Sequence, residues 1–195
     1  MKRLLLPLGL AVTASPAFAH LDPGAHGSLM AGFSHPLFGL DHVLAMVAVG
    51  LWAGLQGGRA RWALPVSFVA VMALGFGLSL LGVPLPFVES MILASVIVLG
   101  LLVAVAARVD MRVGAGLVGL LAVFHGHAHG TELGQAGALN YGLGFMAATI
   151  VLHVVGIALV LVAEKATPMM GDRGRRIVRT LGGVFTVVGA GLALG

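Results

Sequence analysis

Apolar residues run along the chain in stretches long enough to cross a bilayer, separated by short polar links. A transmembrane helix needs about 20 mostly apolar residues. Six stretches meet that length, at roughly 36–56, 62–82, 87–107, 113–129, 137–163 and 177–194. The links between them are short and rich in Gly, Pro or charge, leaving no room for a separate soluble domain. The pattern predicts one all-α, six-helix transmembrane domain over residues 20–195. Ahead of it, Lys2 and Arg3 form a basic start, Leu4 to Ala14 an apolar core, and Ala17-Phe18-Ala19 a small-x-small site. Residues 1–19 therefore read as a cleaved signal peptide. The competing reading is a short first transmembrane helix. Pro16 and the change to polar residues at His20 favour cleavage, which would make His20 the mature N-terminus.

Composition supports a membrane location. Hydrophobic residues make up 59% of the 195 and charged residues 9%, where a soluble domain carries about 25% charged. So few charges cannot cover a water-facing surface, so most of it must face lipid. The formal charge of +4 does not indicate nucleic acid, because the basic residues lie in short clusters between apolar runs without interleaved aromatics. The chain has no cysteine, which excludes a disulfide framework and thiolate metal ligands.

The basic residues also set an orientation. Arg59 and Arg61 follow the first span, and Arg108 and Arg112 the third. Lys165, Arg173, Arg175 and Arg176 lie between the fifth and sixth, with Arg179 at the start of the sixth. The 82–88 and 130–136 connections have neither Lys nor Arg. The positive-inside rule puts the basic loops in the cytoplasm and both mature termini in the periplasm, with the chain in the bacterial inner membrane. The charge run at 172–179 then serves as a topological anchor. Gly50 with Gly54, Gly114 with Gly116 and Gly119, and Gly182 with Gly183 are expected to bring helices close together. No Walker-type or dinucleotide pattern accompanies them.

Ionisable side chains inside such helices cost about 2.5–3.5 kcal/mol each on insertion scales, so they mark sites. Here they cluster. In His35-Pro36-Leu37-Phe38-Gly39-Leu40-Asp41-His42, Ser34 is expected to cap the helix and Pro36 to occupy its first turn. On one continuous helix, His35 and His42 would share a face with Met46, and Asp41 would lie in a neighbouring sector. Asp41 can ligate an ion or orient an imidazole through its second N–H. The bland alternative is a structural Asp41–His42 pair with a capping His35. In Phe124-His125-Gly126-His127-Ala128-His129-Gly130-Thr131-Glu132, His125 and His129 are four apart, a spacing that suits two imidazoles on one metal. His127 faces away unless Gly126 unwinds the backbone. The alternative there is a loose metal-scavenging loop. In the fifth span, Thr149 and His153 are four apart among Val, Ile and Leu, with His153 an inner ligand or gate. Alone, that histidine is as readily a structural hydrogen-bonding group.

Imidazole nitrogen suits nickel, copper, zinc and iron, while oxygen ligands alone suit magnesium or calcium. His35, Asp41, His42, His125, His129, Glu132 and His153 thus read as ligands for a divalent transition metal. Met46, His127, His20 and His26 are further candidates, the last two beside Asp22 on the periplasmic N-terminal segment. Glu89, opening the third span, is weaker still. Residue types do not choose among nickel, cobalt and zinc.

At these residues the chain resembles the HupE/UreJ family of hydrogenase and urease accessory membrane proteins. The likeness is carried by His35 to His42 with Leu44, Met46, Gly50 and Leu51, by Phe124 to Glu132, and by Thr149-Ile150-Val151-Leu152-His153-Val154-Val155-Gly156. His127 is a local addition to the second of these motifs. His-x5-Asp-His also resembles the His-x4-Asp-His signature of the larger nickel/cobalt transporters, with one residue more. The resemblance implies a nickel or cobalt permease, with the ion as transported substrate and no permanently bound cofactor. It also implies cytoplasmic nickel chaperones of hydrogenase or urease maturation as partners, beside the lipid bilayer itself.

The leading function is therefore secondary uptake of the ion, with no catalytic residue. Two other classes stay open. A membrane-embedded zinc hydrolase would need water on its metal, yet there is no His-Glu-x-x-His or Gly-x-Ser-x-Gly motif. A haem-binding redox protein would use paired axial histidines.

Overall fold

The computed structural model describes residues 28–130, 137–170 and 172–195. Among them are seven α-helices and no strand. They are α1 (Leu29–Phe38), α2 (Leu40–Gln56), α3 (Ala60–Leu80), α4 (Val88–Ala104), α5 (Met111–Gly130), α6 (Ala138–Met170) and α7 (Arg173–Leu194). The expected signal sequence, with His20 and His26, lies outside the described residues, as does Glu132.

Four helices, α3, α5, α6 and α7, are long and apolar enough to cross a membrane, and the bent pair α1–α2 passes the same test as one unit. α4 is also apolar but has 17 residues. At about 1.5 Å per residue it spans roughly 26 Å, a little less than a hydrocarbon core of about 30 Å. Large apolar side chains such as Val66, Leu74, Val162 and Val187 are exposed on the outside. In water such an array would be an aggregation surface; against lipid it is the solvated face.

The first apolar stretch is not one helix. Ser28, not Ser34, caps α1 by accepting a hydrogen bond from the Ala31 amide at 3.0 Å. The Ser34 hydroxyl instead donates back to the Ala31 carbonyl. Pro36 accordingly lies near the C-terminal end of α1 rather than in a first turn. The chain turns at Gly39, whose backbone is extended at φ −83° and ψ 111°. α1 and α2 diverge there by 87°. The expectation of a single helix carrying His35 and His42 on one face is corrected by this break. Smaller differences follow from local backbone chemistry. α4 stops at Ala104 because the next residues wind into a turn with Ala106 at φ 50°. α6 runs on to Met170, beyond the expected end at 163, and α7 starts at Arg173 rather than 177.

α2 is the central post. Thirteen of its 17 residues are buried, including Met46, Leu51 and Trp52. It packs on α6, α4 and α3, while α3 pairs with α5, α4 with α7, and α1 with α6. Close approach depends on missing side chains. A Cβ on Gly50 would overlap the His153 carbonyl of α6, and one on Gly126 would overlap the Met72 carbonyl of α3. The expected roles of Gly116 and Gly183 are not met, since nothing lies within 4 Å of a Cβ at either.

One end of the bundle is stitched by polar bonds between basic connections. Arg108 donates to the Gln56 carbonyl at 2.8 Å, Gln56 to the Val109 carbonyl at 3.1 Å and Trp52 to the Ala107 carbonyl at 3.0 Å. Arg179 at the start of α7 donates to the Ala104 carbonyl at 2.8 Å, reaching the same end. His42 begins α2 and Gln56 ends it, about 21 Å apart along the axis. The histidines of α1 and α2 therefore lie at the end opposite the arginines.

Candidate functional site

Asp41 lies in the first turn of α2, where a carboxylate suits the positive end of the helix dipole. Its Oδ1 accepts both the His42 backbone N–H at 2.8 Å and the His42 ring Nδ1–H at 2.9 Å. A carboxylate can only accept, so the His42 ring carries a proton on Nδ1, and as the neutral imidazole that binds metal it presents a bare Nε2. Facing that atom, at 2.8 Å, is Nε2 of His129, from the last turn of α5. Two bare nitrogens would repel at this distance, so His129 supplies the proton between them.

His35 and His125 extend the group in two directions. The His35 ring is 4.5 Å from that of His129 and 6.4 Å from that of His42. His125, one turn below His129 on α5, lies edge-on to His42 at 5.0 Å. The break at Gly39 thus does not separate the motif, because α1, at 87° to α2 and packed on α6, still presents His35 beside His129. Burial rises along this series. His35 is exposed, His42 and His129 retain 7% and 4% of their surface, and His125 none. Beyond His125 comes the fully buried ring of Phe68, 5.5 Å from His125 and 5.2 Å from His153. His153 is buried in α6, and neither of its ring nitrogens has a hydrogen-bond partner.

The four upper rings adjoin by edges and faces. Among the described residues, no three His, Asp or Glu side chains stand as a closed ligand set around one point. The His42–His129 contact is a shared proton, and taking up an ion there requires rings to turn.

His127 stands apart from the group. α5 continues through Gly126, so His127 faces away and donates Nε2–H to the Val83 carbonyl at 2.7 Å. That carbonyl is set by the end of α3, where Gly82 at φ 72° lets the Val83 amide reach back to the Leu78 carbonyl. Met46 is fully buried one turn below His42, and the Thr149 hydroxyl donates to the Met72 sulfur at 3.7 Å. Glu89 is exposed in the first turn of α4.

Two residues at the site were not singled out from the sequence. Phe68 is one aromatic among the apolar residues of α3, and nothing in its neighbours marks it. Ser95 is fully buried in α4 and lies 2.9 Å from His125 Nε2; a hydroxyl amid Met91 to Val98 was the available signal. The Phe145 ring, 4.7 Å from His129, closes the group laterally. On its other side a cavity of about 430 Å³ between α3 and α6 is lined by apolar residues, among them Met72, Phe76, Gly142 and Met146. Apart from the Met72 and Met146 thioethers, its lining side chains carry no nitrogen, oxygen or sulfur donor.

The sequence of the chain is matched over residues 8–192 by the family described as HupE / UreJ protein. It is 45% identical to Protein HupE of Rhizobium leguminosarum bv. viciae, across the full length of both chains. No solved structure is found to match it. With its apolar helices, the chain is a membrane protein, and it belongs to the HupE/UreJ family.

Proposed function

We propose that this protein is a secondary permease that takes up a divalent transition metal, nickel or cobalt, as its substrate. The observation that carries the reading is the graded series His35, His129, His42, His125, Phe68 and His153, drawn from α1, α5, α2, α3 and α6. It begins at an exposed ring and ends at a buried one, with successive rings 4.5–5.5 Å apart. Six spans follow if the α1–α2 pair counts as one and α4 as another, with the arginine end cytoplasmic and the His35 end periplasmic. Capture outside and delivery inward then run down the series, and Glu132, read as a ligand from the sequence alone, is proposed as a further one. Family membership, with its implied link to hydrogenase and urease maturation, supports nickel, and the cytoplasmic nickel chaperones of those pathways as recipients.

The chemistry of the His42–His129 pair agrees with a passing cation. Two imidazole nitrogens bound at about 2.0–2.1 Å would stand about 2.9 Å apart at a right angle and about 3.4 Å at the tetrahedral angle. The present 2.8 Å is close to that spacing; as the rings turn and open slightly, the proton on His129 Nε2 passes to its Nδ1 and the ion takes the place between the two Nε2 atoms. Asp41 meanwhile keeps the proton on His42 Nδ1, the usual arrangement behind a metal-bound imidazole. The inside-negative potential favours cation entry by about 2.3 kcal/mol per charge per 100 mV.

Accumulation of radioactive nickel, cobalt and zinc in cells lacking other nickel importers tests this reading. The wild-type chain should raise nickel accumulation, and His42→Ala should abolish the gain. Unchanged accumulation in that variant would defeat the proposal.

A further inference from the structure

Ser95 lies in the middle of α4, fully buried, with its hydroxyl in contact with two groups. Its Oγ is 2.6 Å from the Ile92 carbonyl and 2.9 Å from His125 Nε2. A hydroxyl has one proton. Two oxygens at 2.6 Å without a proton between them would repel, so that proton goes to the Ile92 carbonyl. The Ser95 oxygen is then free only to accept, and His125 must donate Nε2–H to it. The other ring nitrogen, Nδ1, is left bare; it is buried and has no hydrogen-bond partner. The two nitrogens flank Cε1 with diverging in-plane axes, so Nδ1 is not aimed at the Ser95 hydroxyl that Nε2–H meets, and the His42 ring is 5.0 Å from that of His125.

We infer that Ser95 is a positioning residue that locks His125 into the Nε2–H tautomer, so that Nδ1 is the atom offered to the ion. It serves His125 as Asp41 serves His42, except that the neutral hydroxyl adds no charge. The two histidines thereby present different atoms, Nε2 from His42 and Nδ1 from His125. This rests on reading the histidine series as an ion path, and it adds the direction from which the second imidazole binds.

The test uses full-length protein in lipid nanodiscs with nitrogen-15 in its histidines, assigned to His125 by its loss in His125→Gln. In the metal-free wild type, His125 should show a protonated Nε2 and a bare Nδ1. Ser95→Ala should blur or reverse that pattern and weaken Ni²⁺ binding about 10–100-fold. Ser95→Thr, which keeps the hydroxyl, should restore both, whereas a purely structural serine would alter thermal stability without moving the tautomer. A bare Nε2 in the wild type would overturn the inference without any variant. So would undiminished Ni²⁺ binding by Ser95→Ala with an unchanged His125 spectrum. Failure of the wild type to bind Ni²⁺ at all, with the tautomer as expected, would instead overturn the ion path and the inference with it.

Discussion

His42 and His129, 87 residues apart in the chain, bring their Nε2 atoms to 2.8 Å of each other. The Asp41 carboxylate behind His42 fixes which of the two supplies the proton. The contact joins α2 to α5 at the end of the bundle away from the arginines, and it gives Asp41 a role separable from that of a ligand.

Asp41→Asn should retain the fold while weakening Ni²⁺ binding about 10–100-fold. The amide can still accept from His42 Nδ1–H but no longer contributes charge. His129→Ala should cost at least as much, since it removes a nitrogen outright. Isothermal titration of purified protein measures both, and wild-type affinity in Asp41→Asn would contradict a contribution from the carboxylate charge behind His42.

His127→Ala separates the two kinds of histidine on α5. Its bond to the Val83 carbonyl is structural, so the variant should lose about 0.5–1.5 kcal/mol of stability. Ni²⁺ affinity should stay within about threefold, a change of about 0.7 kcal/mol or less. A large loss of affinity would place His127 in the ion path.

Phe68 touches both His125 and His153, and its ring can receive a cation on its face. Phe68→Leu keeps bulk but removes the π-system, worth about 1 kcal/mol, or about fivefold. Uptake should fall by about that factor while equilibrium binding at the outer histidines is retained. Unchanged uptake would reduce Phe68 to packing.

Acid should oppose capture. A proton and the ion compete for the same imidazole lone pair, and only neutral imidazole binds metal. Histidine ordinarily titrates near pH 6.5, so nickel accumulation should fall as the medium goes from about pH 7.5 to about pH 5. A flat profile, with cell viability and membrane potential maintained, would argue against imidazole capture.

The glycines offer a paired stability test. Gly126→Ala forces a methyl into the Met72 carbonyl of α3 and should cost about 1–3 kcal/mol or more. Gly116→Ala meets open space and should be neutral or stabilising by about 0.5–1 kcal/mol, the usual gain from removing a helix glycine. Thermal unfolding in detergent compares the two.

The helices and their polar clusters were legible in the sequence because an apolar run and an ionisable residue within it are both costly exceptions to water-soluble composition. The four-residue spacing of His125 and His129 did place both rings against His42. The Gly39 break was not legible. A proline and a glycine three residues apart fit either a helix start or a helix end, and the choice was made by Ser28 taking the cap and α1 packing on α6. Ser95 and Phe68 escaped because their roles come from a neighbouring helix. Neither residue type is unusual in an apolar span, and only the α4–α5 and α3–α5 contacts reveal what they touch. The bond from His127 to the Val83 carbonyl was hidden for the same reason, since its partner stands at the end of α3.

X-ray absorption at the nickel edge of Ni²⁺-loaded protein is the most direct measurement. The expected spectrum shows nitrogen or oxygen neighbours at about 2.0–2.1 Å with the outer scattering of at least two imidazole rings, and that outer scattering should weaken clearly in the His42→Ala, His129→Ala double variant, where His35 and His125 are the imidazoles left at the outer group. A spectrum of hydrated nickel in the wild type, or one unchanged by the double substitution, would contradict the assignment of these histidines to the ion.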